Sequence, residues 1–510
     1  MMSYVMRKAT NKINQGTIVA NERSLSGRAA SGFLWMLGQT FGSKIFGFAT
    51  QIALARLLAR SDFGLVALAY TAVAFAGVIR QTGIQQILVQ RHAHFRRWVT
   101  PAFWFELTVG IATAVLLAAT SPIAAQIFHS RTLIGLILVI ALAAPLSPWF
   151  VIPTARLTID LRFKAIAAAN ISYNFIAMAM SVLLAWRGFG AYSFVIPLPV
   201  AGAIRAFWLW RMAKPRVRKN PQLRRWKFLV GDSGYMLATG FITSAMLQAG
   251  SLALGLMYSK AVVGQFFFAF NISAQVAQLL SQNVGSVLMP AFAKLQENRG
   301  RQTAAIVKSS RLLAFISIPL CLLLASIASP LVLLVYGGKW LPAAPVLQLL
   351  AVAAALNIPN TPAVTAMQSQ GRFSMLFWWT LAQAPALFAA VFIGAWFGGA
   401  TGVGLGWVVF MAIASPLSIG IVIRGRGAGA TIAGIYLGPI TASILSIGPT
   451  LAAIHFFAQL SGHHLFSVTL SAAGLCTLYP LFSALLCPGE FAELQRYARD
   501  ALFRTAPPAG

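Results

Sequence analysis

About fourteen apolar stretches, each near the 20 residues a helix needs to cross a hydrocarbon layer, divide this chain of 510 residues. They fall near 31–58, 63–90, 101–127, 131–155, 165–186 and 189–210; after the basic segment "RMAKPRVRKNPQLRRWKF" come 229–258, 262–290, 312–336, 343–368, 373–396 and 401–423, with a last pair near 431–457 and 465–487. Hydrocarbon offers no partner to a backbone N–H or C=O, so each stretch has to close its hydrogen bonds on itself, as a helix does. With 58% hydrophobic and 9% charged residues, one soluble core cannot bury so much apolar surface. The expected class is an all-α integral membrane protein.

Charge then orients the helices. Of 39 Lys and Arg, thirty fall on the side of the N-terminus, in clusters such as "RHAHFRRW" and "KLQENRGRQTAAIVKSSR". Six (Arg56, Arg60, Arg131, Arg187, Lys260, Lys339) flank the other side, and Lys44, Arg80 and Arg205 lie within spans. This is the bias of a positive-inside topology with both termini cytoplasmic. The net charge of +30 therefore records orientation and some affinity for anionic lipid. No reader fold accompanies it, so nucleic acid is not an expected partner. The first thirty residues are polar and basic without the apolar core and cleavage site of a signal peptide, and are expected to be a cytoplasmic tail. Cys321, Cys476 and Cys487 lie in or beside apolar segments without metal-ligand spacing, as small filler.

An internal repeat sets the architecture. Arg60 and Gly64 recur as Lys260 and Gly264, and "GIQQIL" at Gly83 lines up with "NVGSVL" at Asn283 at the same offset. With slow drift, "SPIAAQIF" at Ser121 matches "SPLVLLVY" at Ser329, Pro153 matches Pro362, "LRF" at Leu161 matches "GRF" at Gly371, and Gly190 matches Gly402. An even number of spans per copy makes both copies enter from one side. The expected arrangement is two six-helix lobes related by a pseudo-twofold along the membrane normal, with a central cleft and two appended C-terminal helices. The organisation reads as a tail at 1–30, a first lobe at 31–210, a connector at 211–228, a second lobe at 229–423, the final pair at 424–487 and a cytoplasmic tail at 488–510.

The stretch "ARLLARSDFGLVALA" at Ala55, followed by "GVIRQTGIQQILVQR", resembles the start of bacterial polysaccharide exporters of the PST type, within the multidrug/oligosaccharidyl-lipid/polysaccharide flippase superfamily; the similarity runs from about Ser31 to at least Arg424. The resemblance implies a two-lobed fold working by alternating access in the bacterial inner membrane. It also implies a substrate, an undecaprenyl-diphosphate-linked oligosaccharide, with a polysaccharide polymerase and export machinery as further partners and no cofactor. The architecture is shared with lipid II flippases and multidrug antiporters, which stay open as alternatives, as does a membrane scaffold for polysaccharide assembly.

Ionisable groups within spans are expensive and are candidates for function. Lys44 lies about fifteen residues into the first span, roughly 22 Å along a helix, too deep to snorkel easily, and is the first candidate for a diphosphate. Arg80 and Arg205 are further candidates. Two plainer readings stand beside them: an ion pair of Arg80 with Glu106, and Arg205 snorkelling to headgroups. Asn271, Gln275, Gln278 and Gln282 follow one face of the eighth span. They read as a wet wall for sugar hydroxyls, with Gln248, flanked by Ser244 and Ser251, as a neighbour. Asn170 and Asn174 form a shorter set that suits helix packing. Pro145, Pro148, Pro197, Pro199, Pro359, Pro362 and Pro385 supply kinks or hinges. The aromatic run Phe377 to Trp379 is expected at lipid or the interface.

Nine acidic residues restrict enzymology. A glycosyltransferase normally needs a carboxylate cluster, a polysaccharide ligase a large outer loop with catalytic groups, and ATP hydrolysis a glycine loop followed by lysine; none of these stands in the sequence. Asp62 is the one carboxylate of the short outer loops. His463 and His464 form an isolated pair without a third metal ligand. A cation antiporter needs acids where this chain offers Lys44 and amides, which favours an anionic substrate and a protein that is not an enzyme.

Overall fold

The computed structural model describes residues 35, 38–77, 84–90, 94–223, 226, 234–295, 298–423, 427–461, 464–486, 488–492 and 495–496. Helices run under the described parts of the apolar stretches. They are α1 (38–57), then α2 (Arg60–Gly77), α3 (Ile84–Gln90), α4 (Phe95–Ile127), α5 (Thr132–Leu142), α6 (Ser147–Ile159), α7 (Phe163–Trp186) and α8 (Pro197–Ala213). After the connector follow α9 (Gly234–Met257), α10 (Lys260–Lys294), α11 (Arg299–Ser326), α12 (Ala344–Asn357), α13 (Thr361–Ser369), α14 (Phe373–Ile423), α15 (Ala428–Ser461) and α16 (His464–Leu486). Among the described residues, ten helical stretches are long and apolar enough to cross a membrane. The longest, α14, contains non-helical backbone at Gly398 and Gly399, so it is two helices meeting at a glycine corner where the hydropathy breaks.

The contacts divide the chain into two units, Met1–Leu58 with Ile79–Asp232 and Ala59–Val78 with Ser233–Gly510. Chain order is not respected, since α2 belongs with the later helices.

In the first unit a core of Ile84, Leu88, Val99, Phe103 and Ile152 ties α3, α4 and α6 together. The rings of Trp104, Trp149 and Trp210 all meet Phe103 edge-on, at 5.9, 5.3 and 5.8 Å, which is the arrangement ring quadrupoles favour. Pro145 places a 3-10 turn at Ala144–Leu146 between α5 and α6. The second unit has its own counterpart, a 3-10 turn at Ile358–Asn360 carrying Pro359 between α12 and α13. Pro148 and Pro362 then occupy first-turn positions of α6 and α13, where a missing N–H costs nothing. Pro197 likewise opens α8 rather than interrupting it.

In the second unit α2 and α10 approach at backbone distance. A Cβ added to Gly64 would meet the carbonyl oxygen of Lys260, and one added to Gly264 would meet the carbonyl oxygen of Arg60. The two sequence matches are thus each other's partners. Beside this crossing Phe63, Phe268, Tyr336 and Trp340 form an aromatic core, with Phe268 stacked on Trp340 at 4.2 Å. At the head of α2 the Asp62 carboxylate accepts a hydrogen bond from the Ala59 N–H at 3.0 Å, as the acidic member of a capping box does. That is what Asp62 contributes to the turn.

A second matched pair ends helices in the same way. Leu161 (φ 53°) after α6 and Gly371 (φ 66°) after α13 are both left-handed. Around the first, the Leu161 N–H donates to Thr158 O and the Arg162 N–H to Leu157 O; around the second, Gly371 donates to Gln368 O and Arg372 to Met367 O. Both are the Schellman pattern, which also ends helices at His129 and Gly188, with a leucine carrying the strain at the first.

Two predictions follow from the backbone. Gly264→Ala lowers the thermal midpoint of the purified protein, because an overpacking cost of about 1–3 kcal/mol exceeds the about 1 kcal/mol that alanine adds in helix propensity. Gly429→Ala, where the added methyl meets open space, does not lower it; equal midpoints for the two variants contradict the close crossing. Leu161→Gly is neutral or stabilising by up to about 1 kcal/mol, whereas Gly371→Leu costs about 1–2 kcal/mol, read from the same melts.

Candidate functional site

Within the first unit, α7 is the shared partner of α1 and α8. Asn174 Nδ2 donates to Ser43 Oγ at 2.9 Å and to its own Asn170 carbonyl at 2.8 Å. Phe46 meets Phe175 edge-on at 6.0 Å. These contacts hold the middle of α1, with half-buried Lys44 next to Ser43, against the middle of α7. One residue before Asn174, Tyr173 turns towards α8.

There Arg205 lies between two rings, its guanidinium carbon 5.3 Å from the Phe150 centroid and 5.6 Å from that of Tyr173. Its Nε is buried without a hydrogen-bond partner. Among the described residues no carboxylate forms a salt bridge with it. Arg205, Tyr173, Ser172 and Trp208 line a cavity of about 190 Å³. Arg205 stands eight residues before the end of α8, about 12 Å along the helix axis.

The balance of energies is close. A cation within a span costs about 2.5–3.5 kcal/mol on insertion scales, and a desolvated cation–π contact returns about 2 kcal/mol or more. Two rings therefore hold the guanidinium at this depth without neutralising it. Its charge and its N–H donors remain for an anion.

Glu106 is buried at 3% exposure on α4 and accepts a hydrogen bond from Ser147 Oγ at 3.1 Å. Ser147 is the first residue of α6, so the carboxylate sits where helix N-terminal amides favour negative charge. Arg80 lies outside the described residues, and with it the pairing of Arg80 and Glu106.

The amide stripe is in the second unit. Gln278 lines a cavity of about 210 Å³ with Ser281, Asn357 and Trp407. Asn271 Nδ2 is turned onto its own helix, donating to Phe267 O at 2.8 Å. Gln275 is half-buried, and the side chain of Gln282 lies outside the described residues. Gln248 accepts a hydrogen bond from Thr71 Oγ1 at 3.3 Å, linking α9 to α2. Trp407, 7% exposed, presents a buried indole N–H without a partner. Trp379 donates to Ser418 Oγ at 2.9 Å, so of the aromatic run Trp378 is the exposed member.

Tyr173, Phe150 and Trp407 were not singled out from the sequence. For Tyr173 a signal existed, since Asn170, Tyr173 and Asn174 share one helix face. Phe150, next to Trp149, and Trp407 are aromatics in apolar runs and carry no such mark.

An arginine without a counter-charge contributes little to stability. Arg205→Met leaves the thermal midpoint unchanged or raises it, while Glu106→Ala lowers it by removing the acceptor of buried Ser147, at a cost of about 1–3 kcal/mol. A fall of the midpoint with Arg205→Met equal to that with Glu106→Ala assigns Arg205 a structural role instead.

Comparison with known proteins places this geometry. The profile of a family described as "Polysaccharide biosynthesis protein" matches residues 53–345. The succinoglycan biosynthesis transport protein ExoT of Rhizobium meliloti is 27% identical over 400 residues, 76% of this chain and 80% of that protein. The lipopolysaccharide biosynthesis protein WzxC of Escherichia coli is 24% identical over 410 residues, 79% of this chain and 82% of that protein. Among solved structures, the lipid II flippase MurJ in an inward closed conformation superposes with a TM-score of 0.71 at 12% identity, covering 92% of this chain and all of that one. An inward-facing multidrug resistance transporter of the MATE family gives 0.57 at 13% identity, with 77% and 95% covered. These likenesses fix the fold as the one that these two structures share, and, with a family profile spanning more than half its length, the chain belongs to the polysaccharide biosynthesis protein family.

Proposed function

We propose that this chain is a flippase that carries an undecaprenyl-diphosphate-linked oligosaccharide across the bacterial inner membrane by alternating access, for assembly of a surface or secreted polysaccharide. It is a multi-pass membrane protein with transporters among its relatives and does not act as an enzyme. In this reading fourteen spans form two six-helix halves related by a pseudo-twofold, with α15 and α16 appended and both termini cytoplasmic. The reciprocal approach at Gly64 and Gly264 and the twin helix ends at Leu161 and Gly371 support the duplication.

The observation that carries the proposal is the Arg205 guanidinium, held between rings at a cavity and lacking a carboxylate. A diphosphate is a dianion or more that has to leave water, and a cation already desolvated by aromatic faces gives it a charge-assisted partner. Lys44, on the helix bound to α7 one residue from Tyr173, supplies a second charge, and Arg80 a third. The amides at Gln248, Asn271, Gln275, Gln278 and Gln282 offer donors and acceptors to sugar hydroxyls. The isoprenoid tail stays in lipid against the exposed apolar surface.

The test is export in cells lacking the endogenous protein, with lipid-linked oligosaccharide assayed on each leaflet. Lys44→Ala and Arg205→Met at normal protein level lower export at least tenfold and leave the oligosaccharide on the cytoplasmic leaflet, and Arg205→Lys restores part of it. Unimpaired export in both variants removes the cationic site. Loss of polysaccharide with growth intact distinguishes this substrate from lipid II, whose flippase is required against lysis.

A further inference from the structure

The connector after α8 is a built part of the first unit. Arg162 Nη1 donates to Met212 O at 3.2 Å, and Lys214 then closes the helix in a left-handed conformation (φ 43°). Further on, Trp104 Nε1 donates to Arg218 O at 3.0 Å and the Arg218 N–H donates to Thr100 Oγ1 at 3.2 Å. Trp226 Nε1 donates to Pro221 O at 3.2 Å and its ring meets Phe105 edge-on. These bonds pin the connector along the first turns of α4.

The result is a cavity of about 610 Å³ ringed by Arg96, Arg97, Arg156, Lys214, Arg216 and Arg218. Asp160 pairs with Arg156, 3.0 Å from its Nε, and among the described residues Arg96, Lys214, Arg216 and Arg218 form no salt bridge. His94, the N-cap of α4, makes no capping bond through its side chain, so the positive end of that helix adds to the same field. Gln222, also at the wall, has a buried side-chain oxygen without a partner. Arg96, Lys214, Arg216 and Arg218 reach water, which screens their mutual repulsion, and the bonded connector holds their positive field over one cavity, where it attracts an anion.

We propose that this cavity, separate from Arg205, binds the phosphate of a lipid headgroup: the arginines and Lys214 take the phosphate oxygens, and Gln222 accepts from a hydroxyl beside it. Basic pockets at the ends of membrane helices suit such headgroups. Phosphate is common to two sources, the membrane's anionic phospholipid and the polyprenyl carrier itself, and both enter the test.

The full chain in detergent is titrated with phosphatidylglycerol, undecaprenyl phosphate and phosphatidylcholine, and bound lipid is counted by native mass spectrometry. One or both of the anionic lipids are retained over zwitterionic phosphatidylcholine; phosphatidylglycerol alone assigns a membrane lipid, undecaprenyl phosphate alone the carrier. Arg216→Gln with Arg218→Gln weakens that retention on the order of tenfold, and Arg216→Lys with Arg218→Lys keeps most of it. The comparison variant, Arg299→Gln with Arg372→Gln, removes the same charge from a cavity of about 580 Å³ in the second unit and weakens retention less than twofold. Equal retention of all three lipids, or equal weakening by the two Gln pairs, overturns the site. Unchanged thermal midpoints accompany both pairs; if the first pair unfolds, retention by the Lys pair at the wild-type level over phosphatidylcholine decides, and its absence overturns the site.

Discussion

Taking charge out of water is the cost around which this molecule is organised. In the sequence most of its cations avoid that cost by standing between the apolar stretches. Arg205 does not, and the protein meets the expense with aromatic faces instead of a carboxylate. The choice matters chemically. A carboxylate would cancel the charge, whereas two rings tolerate it and leave it able to attract. Glu106, the buried acid of the same unit, is satisfied elsewhere, at the first turn of α6 beside Ser147.

The second constraint is the backbone. Helices satisfy their own N–H and C=O groups, so the informative places are those where the ladder is interrupted: the proline turns at Ala144–Leu146 and Ile358–Asn360, and the glycine corner at Gly398 and Gly399. In each unit a proline turn joins two short helices that lie within one candidate span. Close backbone approach at Gly64 and Gly264 leaves no room for a side chain between α2 and α10. This contact explains why α2 counts with the second unit although the chain places it early.

How far the sequence could be read depends on the range of the signal. Span positions follow from runs of apolar residues, a local property, and among the described residues ten helical stretches are long and apolar enough to cross a membrane. The matched residues were legible because they kept their order, and at Leu161 and Gly371 the helices end alike, both in a left-handed turn though only one is a glycine. Lys44 and Arg205 were visible as charges in apolar runs. Their neighbours were not, because Tyr173 and Phe150 reach Arg205 from two other helices, and hydropathy does not encode which helices meet. The attachment of α2 escaped for the same reason. Asn271 shares a face with Gln278 by spacing, yet it spends its amide on its own helix, a competition that periodicity does not register.

The central claim is that a guanidinium held between rings within the first unit receives the diphosphate. A cryo-electron microscopy structure of the chain with a polyprenyl-diphosphate-linked oligosaccharide tests it most directly. The account predicts phosphate density within hydrogen-bonding distance of Arg205, with Phe150 and Tyr173 still flanking it. Phosphate density elsewhere, with Arg205 paired to a protein carboxylate in the same map, would contradict it.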